Sequence, residues 1–533
     1  MGSKDAEVMK EGIIMKKLMT LALAAAMMMG VATGANAIDF KAKGQWIMDF
    51  NYGMHGNFGE SKAAANSGYS RNGNHEDEFE ATQRVRLQLD AVASEALSGT
   101  VFFEIGDQVW GDNDNGGALG SDGKVVELKR AYIDWMVPQT DLKVRMGIQG
   151  IALPAFTTNA SQIMDDDVAA ISLNYQFNEN VGLTAFWARP YNDNAGYRYL
   201  DDKLLTHRTY GEKNYMDNMD MFAVLLPLTF DGVKVTPWVM YAAMGPGMLG
   251  TTLDEKGLSV NSYGNAWNRA ASGMTSGFFG TDPVSSYGNA FWAGVTGEVT
   301  LWDPFRIAWD VNYGSAAYDN EKMNREGWLA SLLLEYKLDW GTPGLYGWYS
   351  TGDDNNPRNG SERMPVVSAN GNNQFSNFAF NGNPYIAREG VLGSTMVGTW
   401  GIGARLKDVS FLEDLKHTLR VNFMGGTNAP KMAKYMRGAA EKDGTFVVPG
   451  DAGHGSPYYD PMYLTTEDYA LEIGLTNTYK MYDNFTVMLD AAYVALWLDD
   501  STSTWGKNPG RTALGGDGVY DAWNVNLSFV YSF

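Results

Sequence analysis

The charged residues of this chain recur in patterns suited to setting an electric field rather than to making or breaking bonds. Arg84 and Arg86 alternate with Val85, Leu87 and Leu89. Arg130 and Asp134 alternate with Ala131, Ile133 and Trp135, and Lys143 and Arg145 with Leu142, Val144, Met146 and Ile148. Side chains on a strand take opposite faces in turn, so each segment has one apolar face and one charged face. Asp165, Asp166 and Asp167 follow as an unbroken acidic triplet. Three adjacent carboxylates cannot all be neutralised locally. They are either solvated, as charge runs generally are, or they shape a field.

Bond-making chemistry has little material here. The chain has no cysteine, which removes disulfides, thiolate metal sites and cysteine nucleophiles together. Its five histidines (His55, His75, His207, His417 and His454) show no local metal-binding spacing. Only His417 falls in a strand-like segment, at its end, so a Ser–His pair with an orienting third group has no support and no enzyme is expected. The stretch GDNDNGG at 111–117 spaces its carboxylates as calcium loops do but lacks the closing glutamate of an EF-hand. Weak Ca²⁺ binding in that loop is the one cofactor expectation, and no metal site is assigned. A net charge of −21 argues against a nucleic-acid partner.

The elements that must carry these charges are strands. In 40–52 the apolar series Phe40, Ala42, Trp46, Met48, Phe50 and Tyr52 alternates with Lys41, Lys43, Gln45, Asp49 and Asn51. The last segment repeats this with Trp523, Val525, Leu527, Phe529, Tyr531 and Phe533. Alternation over ten residues, bounded by aromatics, is what a lipid-facing strand requires, and a sheet in lipid must close on itself. Similar segments lie near 81–93, 99–110, 128–136, 142–149, 169–177, 181–189, 220–230 and 233–243. Others follow near 290–301, 305–314, 328–338, 345–351, 398–407, 417–425, 469–479 and 485–497. With the two terminal strands these make eighteen, or sixteen if the weakly alternating 220–230 and 345–351 are discounted. Short turns alternate with long Gly-, Asn-, Asp- and Ser-rich loops. The fold class expected is all-β, a transmembrane antiparallel β-barrel with long extracellular loops and short periplasmic turns.

Residues 1–37 read as a leader. Met15-Lys16-Lys17 is a basic start, Leu18 to Ala35 is uncharged and largely apolar, and Ala35-Asn36-Ala37 supplies the small-x-small pattern of a cleavage site. Met15 is a candidate for the true start. Residues 38–533 then form a single barrel domain with a net charge of −22.

Three stretches carry a family resemblance: ELKRAYIDW at 127–135, DLKVRMGIQG at 141–150 and NVNLSFVYSF at 524–533. With the leader, they resemble bacterial outer-membrane general porins, nearest to the homotrimeric porins of sulfate-reducing bacteria. That resemblance implies a homotrimer set among outer-membrane lipid and lipopolysaccharide, with one pore per subunit. It also implies that the C-terminal aromatics Tyr531 and Phe533 are read by the barrel assembly machinery. In such porins the third long loop folds inward to face a basic wall. Gly150 to Asp167 is the matching segment, so Asp165, Asp166 and Asp167 are expected to oppose Arg84, Arg86, Arg130, Lys143 and Arg145 across the narrowest section. Turning those cations toward lipid would cost about 2–4 kcal/mol each near midplane, so their phase is forced. A mundane alternative pairs the arginines with lumen carboxylates such as Asp90 and Asp134.

The expected function is passive diffusion of small hydrophilic solutes and ions through a water-filled channel. One rival is a substrate-specific channel, sugar- or anion-selective, for which Trp238, Trp292 and Trp348 would be stacking steps, although an aromatic girdle suits them better; another is a structural barrel. Protein recovered from outer membranes is expected to start at Ile38 on N-terminal sequencing; retention of 15–37 would contradict the leader assignment.

Overall fold

A computed structural model describes residues 38–54, 58, 78–113, 116–123, 126–158, 160–192, 199–200, 203–204, 218–245, 273–274, 286–369, 373–380, 390–443, 462–514 and 518–533. The leader 1–37 and part of the 111–117 stretch lie outside them. Eighteen strands form the barrel. They are β1 Asp39–Met54, β2 Glu78–Ser94, β3 Leu97–Val109, β4 Val126–Met136, β5 Leu142–Ala152 and β6 Asp165–Gln176. Next come β7 Gly182–Asn192, β8 Asn218–Leu225 continued by Leu228–Phe230, β9 Val233–Met244, β10 Gly288–Val299, β11 Phe305–Ala317 and β12 Arg325–Tyr336. The last six are β13 Thr342–Ser350, β14 Thr399–Leu412, β15 Leu415–Gly426, β16 Tyr469–Tyr482, β17 Phe485–Trp497 and β18 Ala522–Ser532. Both pieces of β8 pair with β9. The break falls at Pro227, which has no N–H to give a ladder.

Each strand pairs antiparallel with its chain neighbours, and β1 pairs with β18 from Gln45↔Ser532 to Met54↔Trp523, so no edge is left. The outer face is apolar around the ring, with Phe222, Trp328, Leu345 and Ile402 each more than half exposed. A closed barrel with such a belt is an integral barrel of the bacterial outer membrane.

The seam is sealed by the C-terminus. Gly44 N–H donates to the Phe533 carbonyl at 2.9 Å, and Phe533 N–H donates to the Gly44 carbonyl at 3.1 Å. The Phe533 ring lies 5.5 Å from Trp46, which also stacks on Tyr531 at 6.3 Å. A Cβ at Gly44 would stand 2.7 Å from Phe533 Cζ and 2.3 Å from the Arg86 carbonyl oxygen.

The barrel is not an empty cylinder. From β6 to β13 much of the inward face is apolar too, carrying Ala170, Phe186, Met221, Met240, Trp292 and Leu333 beside charged positions such as Arg306 and Glu335. These pack on two connections that fold inside. One is 153–164, between β5 and β6; the other lies within 351–398, between β13 and β14, and buries Met364, Val366, Phe375, Phe380 and Met396. Each large apolar side chain fully withdrawn from water contributes roughly 1.5–3 kcal/mol, enough to hold loops within a barrel. Both faces of β8 are therefore apolar, which explains its weak alternation. Trp238, Trp292 and Trp348 belong to this core, at 3%, 0% and 5% exposure, and are neither girdle nor stacking steps.

A smaller cluster caps the long-loop rim, where helix α1 (Pro430–Asp443) packs Met432 and Met436 on Trp505 and Tyr463. Asp468 ties the cap together, accepting from the N–H of Thr465 and Asp499 and from the Trp505 indole. Burial pushes its carboxyl above the usual range.

Replacing Gly44 with Val forces Phe533 off the seam and is expected to weaken closure by about 1–3 kcal/mol. The measurement is the temperature at which the folded band on electrophoresis converts to the unfolded one. An unchanged conversion temperature would deny the seam its role.

Candidate functional site

Chemistry inside the barrel is electrostatic, and its charges come in compensated sets. On β2, Arg84 forks onto Asp107 of β3 with two bonds of 2.6 Å, and Arg86 Nε donates to Glu104 at 2.7 Å. On β5, Arg145 forks onto Asp134 of β4 at 2.6 and 2.8 Å, with Lys143 3.0 Å from the same carboxylate. The Arg145 guanidinium also lies 4.0 Å from the centre of the Tyr132 ring, a cation–π contact. Arg86, Lys143 and Arg145 thus form a basic strip on the inner wall, each more exposed than its carboxylate, while Arg84 is buried beneath the more exposed Asp107. Asp134 is such a partner, as the mundane alternative has it; Asp90 instead accepts from Gln88 and Thr100.

The acidic triplet is placed differently from the expectation. Asp165, Asp166 and Asp167 are not the far side of a constriction but the first three residues of β6, paired with Ala152, Ile151 and Gly150. Alternation then divides them: Asp166 takes the face of Ile151 and Val168, and Asp165 and Asp167 take the other. Asp167 does not oppose Arg130 across the lumen but bonds to it directly, Nε to Oδ1 at 2.5 Å, with Lys129 at 3.1 Å. Asp166 accepts from the Ser368 hydroxyl at 2.6 Å.

This contact exists because the outer end of the β5–β6 hairpin leaves the wall. The β4–β5 ladder ends at Ala131↔Ile148, and the β6–β7 ladder does not start until Ala170↔Ala188. Arg130 reaches across the parted ends of β4 and β5, its guanidinium lying over Gly150, where a Cβ would stand 2.9 Å from Nη2. A bulge between Phe102 and Phe103 leaves Lys129 as the extra residue of β4 and frees it to join Arg130. Strict alternation hides Lys129. A lysine set in the apolar phase beside an arginine was the signal.

Beyond β5 the connection crosses the interior. The N–H groups of Phe156 and Thr157 each donate to Asp310 of β11 at 2.9 Å, and Arg306 donates to the Phe156 carbonyl. Asp310 lies six strands round the ring from β5, so the chain spans a chord of the lumen. The inner segment meets it there: Met164 bridges to Ser368, and the N–H groups of Val367 and Ser368 donate to the Ile163 carbonyl at 3.0 Å.

Sequence reasoning missed the opposite wall. Lys234 and Arg306 hold Glu298, while Arg306 and Arg405 hold Glu335 at 2.9 and 2.7 Å, a relay over β9 to β14. Its signal was the same alternation, Arg306 before Ile307 and Glu335 after Leu334. Among the described residues no group of three or more metal-ligating side chains occurs.

No protein-family model matches the chain, and no curated protein does. Among solved structures it is similar to OprD of Pseudomonas aeruginosa, at 10% identity over 95% of this chain and 97% of that one, with a TM-score of 0.46. It is similar also to OccAB2 of Acinetobacter baumannii (9%; 94% and 99%; TM-score 0.48) and to OpdK of Pseudomonas aeruginosa, solved with vanillate (10%; 92% and 98%; TM-score 0.46). None of this supports the narrower resemblance to porins of sulfate-reducing bacteria.

Asp134→Asn leaves Lys143 and Arg145 without their carboxylate. The reversal potential is expected to move toward anions, by a several-fold change in permeability ratio for each ~1 kcal/mol of lost compensation. Asp166→Asn, with one hydroxyl partner, should leave it near the wild-type value. If Asp134→Asn moves nothing, the strip does not face the ion path.

Proposed function

We propose that the protein is a passive outer-membrane channel for small hydrophilic solutes, restricted in bore and favouring anions. The observation that carries the preference is the unequal exposure of paired charges. Lys143 is 41% exposed against 17% for Asp134, Arg130 39% against 15% for Asp167, and Arg306 30% against 14% for Glu298. At these three pairs a solute in the lumen meets cation heads whose partners lie deeper in the wall; Arg84 reverses the order, at 8% against 29% for Asp107. Low-dielectric walls make such charges effective over about a Debye length, ~8 Å at physiological salt.

Restriction follows from the two connections packed inside. They favour a narrowed, selective channel over a wide general pore. A stacking path for sugars has no support from Trp238, Trp292 and Trp348, which are buried. Removal of 1–37, assembly as a homotrimer and reading of Tyr531 and Phe533 by the assembly machinery belong to the same proposal. Both rings sit on the outer face beside Trp46, where an assembly factor can reach them.

In a planar bilayer with asymmetric KCl, the reversal potential should take the sign of anion preference, with discrete single-channel steps. Cation preference would overturn the charge reading; absence of conductance would overturn the channel.

A further inference from the structure

The inward tip of the inner segment is held by two buried carboxylates and an arginine: the Asn377 side chain donates to Asp490 at 2.7 Å, Arg420 donates to the Gln374 carbonyl at 2.8 Å, and Glu472 gathers the backbone. Glu472, on the lumen face of β16, is fully buried. Its Oε1 accepts from the backbone N–H groups of Asn377, Phe378 and Ala379 at 2.8, 2.6 and 3.1 Å, and from the Ser376 hydroxyl at 3.0 Å. Its Oε2 accepts from the Asn422 side chain at 2.8 Å. Three successive N–H groups converging on one oxygen form a nest, the arrangement that binds anions at helix N-termini. Here the protein supplies both anion and nest.

The bed on which the tip lies is equally specific. Gly474, two residues along the same face, has no side chain where a Cβ would stand 2.3 Å from Asn377 Oδ1 and 2.7 Å from Asn377 Cβ. Phe375 stacks on Tyr346 at 4.2 Å, and its carbonyl accepts from the Tyr346 hydroxyl. Stacking tolerates sliding and neutral hydrogen bonds are modest. Glu472 gathers five donors, three of them backbone N–H groups of the tip itself, against one tip donor for Asp490, so it is the dominant anchor.

We infer that Glu472 is the positioning residue for the narrow section. By holding 376–379 against the wall, it sets how much of the lumen the inner segment occupies, and hence which solutes pass. The inference rests on the channel reading above and names the residue that fixes its bore. Gly474 shares that role by admitting the tip.

The test uses the full-length protein in planar bilayers, with folding checked by the heat-induced band shift. Glu472→Ala is expected to raise single-channel conductance about twofold or more as the filling segment is released. Glu472→Gln, which keeps an acceptor but no charge, should fall between. Gly474→Ala lifts the tip from the bed and should act in the same direction. Because the chain has no cysteine, Ala379→Cys provides a clean second readout. Its thiol should resist a membrane-impermeant maleimide in the otherwise wild-type protein and react when Glu472→Ala is added. If Glu472→Ala does not fold, Glu472→Gln and Gly474→Ala carry both readouts. Folded variants with wild-type conductance and a protected thiol would overturn the assignment while leaving the channel standing. A wild-type protein that does not conduct would overturn the channel itself.

Discussion

The structure depends on one requirement: within hydrocarbon, every backbone N–H and C=O must find a partner in the protein. Eighteen strands meet it by laddering to both neighbours, and the β1–β18 seam meets it by closing the ring. The requirement also governs the β5–β6 hairpin, where the wall opens. The outer end of the β5–β6 hairpin gives up its ladders to β4 and β7, and its backbone turns to the interior, where Asp165 N–H donates to the Ser368 carbonyl at 2.7 Å. What looks like a departure from the barrel extends the same bonding inward.

Two kinds of interior result. Against β6 to β13 much of the interior is a core of Met, Phe and Trp side chains, bordered on β9 to β12 by the Lys234, Glu298, Arg306 and Glu335 charges. Against β2 to β5 it is a set of charges, each cation bonded to a carboxylate. Low dielectric makes an unpaired charge costly, so the cations are bound to partners even where water reaches them. The relay from Lys234 to Arg405 applies the same rule on the opposite wall.

The barrel was legible because lipid imposes a strict period on the outer face. All eighteen strands lie where that period appears, with ends displaced by a few residues. The interior was less so, for reasons that differ by residue. Alternation from Ala169 onward leaves the acidic triplet in the preceding loop, whereas pairing starts at Asp165. Lys129 was missed because a bulge shifts the phase. The inner segment was read as an ordinary long loop, rich in Gly, Asn and Ser. Its partners Glu472, Asn422 and Asp490 stand 40 or more residues away in sequence, and no local pattern announces contacts of that range.

Because two connections, and not the strands, fill the interior, the chain separates lipid contact from interior packing. Residues facing lipid answer to membrane thickness and closure; the described residues of the two inner connections answer to what fills the lumen. Loops tolerate insertion and deletion far better than strands do, where a single added residue turns every following side chain to the opposite face. A change of length in either connection can therefore resize the passage without re-registering the wall. One scaffold of this kind can serve many solutes through gain and loss of a few residues inside it.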